Sequence, residues 1–101
     1  WLAYAEEADI LNVALFGFTA KAWREANPEL AKKNNVRDFA TINELTVLSN
    51  LESHNAQMIK EGKRKEERFK ILQEIAEYQL NVLNTAERIK MSESGVKQLE
   101  M

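Results

Sequence analysis

The sequence predicts an all-α domain, and three observations carry that prediction. From Thr41 to Lys90 the chain holds one glycine and no proline, while apolar residues recur every three or four positions. The run opens on Thr41-Ile42-Asn43-Glu44, the spacing of a capping box, in which the threonine oxygen and the glutamate carboxylate each accept from the other residue's amide. No stretch alternates apolar and polar residues over a useful length, as a half-buried strand would. The architecture expected is a four-helix bundle-like domain dominated by a long antiparallel helical hairpin folded at Gly62.

The first helix is expected over about Ala5 to Phe16. Glu6, Glu7 and Asp9 fall in its first turns, where the helix dipole favours anions. Ile10, Leu11, Ala14 and Leu15 supply a buried stripe, and Gly17 ends it. Thr19 is placed to cap a short second helix, about Ala20 to Asn27, which Pro28 stops by disfavouring helical geometry at the residue before it. Residues 29–40 are less regular. Leu30 sits in a short helical turn, Val36 and Phe39 dock the connection, and Arg37 and Asp38 tie it down through side-chain hydrogen bonds.

The third helix, Thr41 to about Glu61, sets Ile42, Leu45, Leu48, Leu51, Asn55, Met58 and Ile59 along one side. The fourth, about Lys65 to Lys90, sets Phe69, Leu72, Ile75, Ala76, Gln79, Val82, Leu83, Ala86 and Ile89 on one face. Spacings of three and four dominate both, near those of a coiled-coil seam. At 1.5 Å per residue the two are about 30 Å and about 39 Å long, so the second overhangs the first by roughly two turns. Ile71, Tyr78 and Leu80 widen its apolar surface beyond one neighbour's needs. Together with Trp23 they are the candidate interface, for a second copy of the chain or a protein partner. The domain is expected over 1–91, with a frayed tail over 92–101.

Composition bounds the chemistry. The chain has 101 residues, 45% hydrophobic and 30% charged, a balance suited to one folded domain. There is no cysteine, so disulfides and thiolate metal sites are excluded, and a cytoplasmic setting fits. No apolar run approaches the roughly 20 residues of a bilayer span, and no signal peptide opens the chain. It begins on Trp1 instead of methionine, which suggests a segment of a longer protein. The net charge of −2 counts against a dedicated nucleic-acid binder.

No catalytic, metal or cofactor site is expected. His54 is the only histidine; it lies mid-helix with no nucleophile beside it and reads as a structural or surface residue. Glu6, Glu7 and Asp9 lack the Glu-x-x-His pairs of carboxylate metal bundles. Lys60 to Lys70 holds six cations against three glutamates, so Lys63, Arg64, Lys65 and Arg68 are candidate phosphate contacts. The simpler reading is a solvated hairpin tip with pairs such as Glu66–Lys70. Asn55 stands apart, because an unpaired amide on an apolar face is costly. It is expected to bond to the loop near Arg37 and Asp38 or to the fourth helix, and to set register.

Three blocks in order, YAEEADILNVALFGFTAKAWR from Tyr4 to Arg24, NVRDFATINEL from Asn35 to Leu45, and LSNLESHNA from Leu48 to Ala56, resemble the region that follows the KilA-N domain in bacterial and phage-derived KilA-N proteins. The resemblance spans about Tyr4 to Val82. It implies an upstream KilA-N module that binds DNA, with this chain as its C-terminal companion; the DNA-contacting residues of that module have no counterparts here. The function expected is a non-enzymatic oligomerisation or protein-interaction module without cofactor. Direct nucleic-acid binding through residues 60–70 is the alternative.

Overall fold

The computed structural model describes the backbone of residues 1–100 and the side chains of residues 1–89. It is all-helical: α1 spans Glu7–Phe16, α2 Ala20–Ala26, α3 Pro28–Ala31, α4 Ile42–Lys60 and α5 Lys65–Glu100, with 3-10 turns at Leu2–Tyr4 and Val36–Phe39. Five α-helices therefore stand where four main ones were expected. The added one is the short helical turn expected around Leu30, and Pro28 starts it where α2 ends, since its fixed φ suits a first helical position.

Local chemistry sets most boundaries. The Glu6 amide donates to Asp9 Oδ2 at 3.1 Å and opens α1. Gly17, at φ 86°, closes it by donating to the Val13 carbonyl at 3.0 Å. Thr19 Oγ1 accepts from the Ala22 amide at 3.1 Å, as an N-cap should. In the connection, the Arg37 amide donates to Asn35 Oδ1 and the Asn35 amide donates to Asp38 Oδ2 at 2.8 Å. The Arg37 guanidinium then donates to Glu52 on α4 at 3.3 Å. Thr41 and Glu44 make both capping-box bonds, at 3.1 and 2.9 Å. At the other end of α4, Gly62 takes φ 80° while its amide and that of Lys63 donate to the carbonyls of Ile59 and Met58. That is a Schellman closure, which needs a left-handed residue.

Across the turn, α4 and α5 pack against each other and α1 lies against both. Asn43 donates to Asn84 and Glu87, Asn50 to Gln79, and Asn55 accepts from Arg68. As the α4 number rises the α5 number falls, so the two segments run in opposite directions. Ala5, Ile10, Leu11, Val47, Leu48, Leu51, Met58, Leu72 and Ala76 form the buried cluster.

The buried stripe of α4 shares Leu48, Leu51, Asn55 and Met58 with the one expected but is rotated towards Val47. Val47, Leu48, Leu51, Asn55 and Met58 are inside, whereas Ile42 is 82% exposed and Leu45 and Ile59 are also exposed. With 3.6 residues per turn, Ile42 points nearly opposite the centre of that stripe. On α5, Val82, Ala86 and Ile89 are exposed, not packed. Length accounts for Ile89, which lies past Glu87, the α5 residue that Asn43 at the start of α4 reaches; Val82 lies within the overlap, on a groove that Thr46 and Asn50 of α4 also line. Val36 is buried, but Phe39 is exposed, with its ring against that of Trp23. The last helix, expected to end near Lys90 ahead of a frayed tail over 92–101, is described as far as Glu100, and Met101 lies outside the described residues.

Candidate functional site

The polar groups of this molecule meet where α1, α4 and α5 converge. Glu7 opens α1, Asn55 faces inward from α4, and Arg68 rises from the first turn of α5. Arg68 Nη1 donates both to Glu7 Oε1 and to Asn55 Oδ1, the latter at 2.7 Å, while Nη2 donates to Glu7 Oε2 at 3.3 Å. Asn55 Nδ2 completes the triangle by donating to Glu7 Oε1 at 2.8 Å. The remaining guanidinium nitrogen, Nε, donates to the Lys63 carbonyl at 3.1 Å. Arg68 is only 5% exposed, so its charge is desolvated and matched by a forked contact to a carboxylate. The Arg68 hydrogen bonds hold the Glu7 carboxyl below its ordinary range, with Asn55 adding to the effect against the opposing influence of burial.

This triangle corrects the reading of Arg68 as a phosphate contact. Its guanidinium is buried and already bonded, because leaving a charge unpaired beside the core would be expensive. Lys65 is engaged too, its Nζ donating to the Ala5 carbonyl at 2.8 Å. Lys63 lies 3.5 Å from Glu61, and Arg64 is exposed. Asn55 does bond to α5, as expected of it. Its second partner, Glu7, was unforeseen, and nothing in the local pattern distinguishes Glu7 from Glu6.

The candidate interface residues are dispersed. Ile71 and Leu80 are half-buried and pack on the edge of the core. Trp23 is half-buried, its ring 5.7 Å from that of Phe39. Tyr78 alone is open, at 72% exposure, beside a groove of about 170 Å³ that Thr46, Asn50, Gln79, Val82 and Leu83 also line. His54 is exposed on α4. Asn12 is buried on α1, and its Oδ1 accepts no hydrogen bond among the described residues.

Among the described residues no three histidine, aspartate or glutamate side chains gather as metal ligands, and no helix is long and apolar enough to cross a membrane. Glu6 and Asp9 belong to the α1 cap and Glu7 to the triangle, which accounts for the acids at that helix start. Comparison with known protein families, curated proteins and solved structures finds no match.

Proposed function

We propose that this chain is a non-enzymatic oligomerisation or protein-interaction module, a bundle-like domain dominated by the α4–α5 hairpin. In that reading it is a cytoplasmic companion of an upstream DNA-binding KilA-N domain in a phage-related protein. The observation that carries the proposal is the row of Tyr78, Val82 and Ile89, all exposed on α5. At 3.6 residues per turn they lie within about 40° of one another, so they form one apolar strip. Exposed apolar rows of this kind mark contact surfaces. Asn50 and Gln79, bonded to each other at the strip's edge, would orient the partner.

The occupant proposed is a second copy of the chain. A two-fold pair would set two upstream DNA readers on paired half-sites. Sedimentation velocity over a concentration series tests this. A dimer in the natural chain and a monomer in the Tyr78→Lys, Val82→Glu double variant support it; a monomer at every concentration rejects it.

Direct nucleic-acid binding through residues 60–70 keeps one observation in its favour, the exposure of Arg64 at the turn. Lys65 and Arg68 are bonded within the fold, which leaves four of the six cations, Lys60, Lys63, Arg64 and Lys70, with Lys63 already 3.5 Å from Glu61. Titrating a labelled duplex against salt separates the readings, because binding with a steep salt slope that disappears when Lys63 and Arg64 are neutralised would favour this one.

A further inference from the structure

Four aromatic rings that the helices leave partly uncovered gather away from both the triangle and the α5 strip. Phe16, Phe18, Trp23 and Phe39, with Val36, Ala40 and Glu44, wall a cavity of about 150 Å³. The rings come as two pairs. Phe16 and Phe18 are stacked, with centroids 6.0 Å apart and planes 18° from parallel. Trp23 and Phe39 sit 5.7 Å apart at 38°. The left-handed Gly17 turns the chain between Phe16 and Phe18, the Thr19 cap fixes the start of α2 below Trp23, and the Asn35–Asp38 bond fixes the 3-10 turn that carries Phe39. The slot is therefore held in shape by backbone caps on each wall.

The chemistry of the lining selects a ligand class. Aromatic faces carry a negative quadrupole and attract cations. Glu44 is the one charged residue of the lining; its Oε1 accepts from the Thr41 amide, and Oε2 takes no hydrogen bond among the described residues. Arg37, the cation next along the chain from Val36, is paired with Glu52. A bare ammonium or guanidinium entering the slot would bring several N–H donors and meet few acceptors. An ammonium carrying methyl groups has no such donors to satisfy. A cavity of about 150 Å³ also holds a molecule of benzene's size, which is the scale of one trimethylammonium head.

We propose that this aromatic slot binds a quaternary ammonium group, with Glu44 as its counter-charge. Choline-type compounds and trimethylated lysine share that head. The full chain, labelled with nitrogen-15, is titrated with choline, with Nε-trimethyl-lysine and with 3,3-dimethylbutan-1-ol, the uncharged isostere of choline. The Trp23 indole resonance is followed; Trp1, the other tryptophan, packs edge-on against Phe69 and serves as the internal control.

Saturable shifts of Trp23 alone are expected with the cations, at a Kd on the order of 1 mM. The cation that saturates at the lower concentration identifies the source of the head group. Phe18→Ala and Glu44→Gln should each weaken binding at least about fivefold; glutamine serves equally in a capping box, so the second change leaves the α4 cap in place. Equal binding of the uncharged isostere, or no shift of Trp23 with either cation, overturns the proposal.

Discussion

Arg68 and Glu7, 61 residues apart in sequence, are joined through two guanidinium nitrogens, and Asn55 bonds to both. One contact thus ties the start of α1 to α4 and to the first turn of α5. Hydrophobic burial alone is non-directional and would let α1 slide along α4 and α5. The triangle offers one position at which all three groups are satisfied together.

Removing the guanidinium should therefore be severe. Arg68→Met keeps the aliphatic stem but leaves Asn55 Oδ1 without a donor and Glu7 with only that of Asn55 Nδ2. A loss of about 3 kcal/mol is expected in urea denaturation, the low end for breaking a buried pair, since Glu7 is partly solvated. Arg68→Lys should recover only part of it, because a single ammonium cannot make the fork. A loss below about 0.5 kcal/mol, ordinary for a surface change, would show that the triangle is incidental.

Acid should act through the same contact. Glu7 has its carboxyl lowered by Arg68, so the folded state binds its proton more weakly than the unfolded state does. Its contribution is present above the unfolded carboxyl value of about 4.3 and is lost as pH falls through the lower folded value. The stability difference between the natural chain and Glu7→Gln should be constant near neutrality and shrink below about pH 4.3. Urea midpoints measured from pH 6 down to acid test it; a difference that does not change with pH would refute the assignment.

What the residues announced beforehand were the elements whose causes are local. The Thr41–Glu44 box, the Gly62 turn, the Thr19 cap and the Pro28 break all act within four positions and were readable as such. The triangle was not, because Arg68 sits in a run of lysines and glutamates that looks solvated in one dimension. Only the approach of Glu7 from α1 distinguishes it from Arg64, and that is a tertiary fact. The same holds for α4: spacings of three and four led to a stripe that holds the buried Leu48, Leu51, Asn55 and Met58 but also takes in Ile42, Leu45 and Ile59 and leaves out Val47. The position of α1 decided between them.

That rotation of α4 can be measured. Leu51 is fully buried, and Leu51→Ala should cost about 2–5 kcal/mol through lost transfer energy and the cavity left behind. Ile42→Ala, at a side chain mostly in water, should change stability by less than about 0.5 kcal/mol. Parallel thermal melts of the two variants decide the matter, since comparable losses at both sites would restore the stripe that runs through Ile42.

The turn at Gly62 yields a test free of packing. A Cβ added there would meet nothing within 4 Å, so space does not forbid a side chain. The φ of 80° does disfavour one, because L-residues in the left-handed region place Cβ against the following carbonyl. Gly62→Ala should lose about 1–2 kcal/mol, and Gly62→Asn less, since asparagine tolerates that region through local hydrogen bonding. The order glycine, asparagine, alanine in unfolding midpoint is the expected result. If alanine matched glycine, the Schellman closure would not be what sets the angle between α4 and α5.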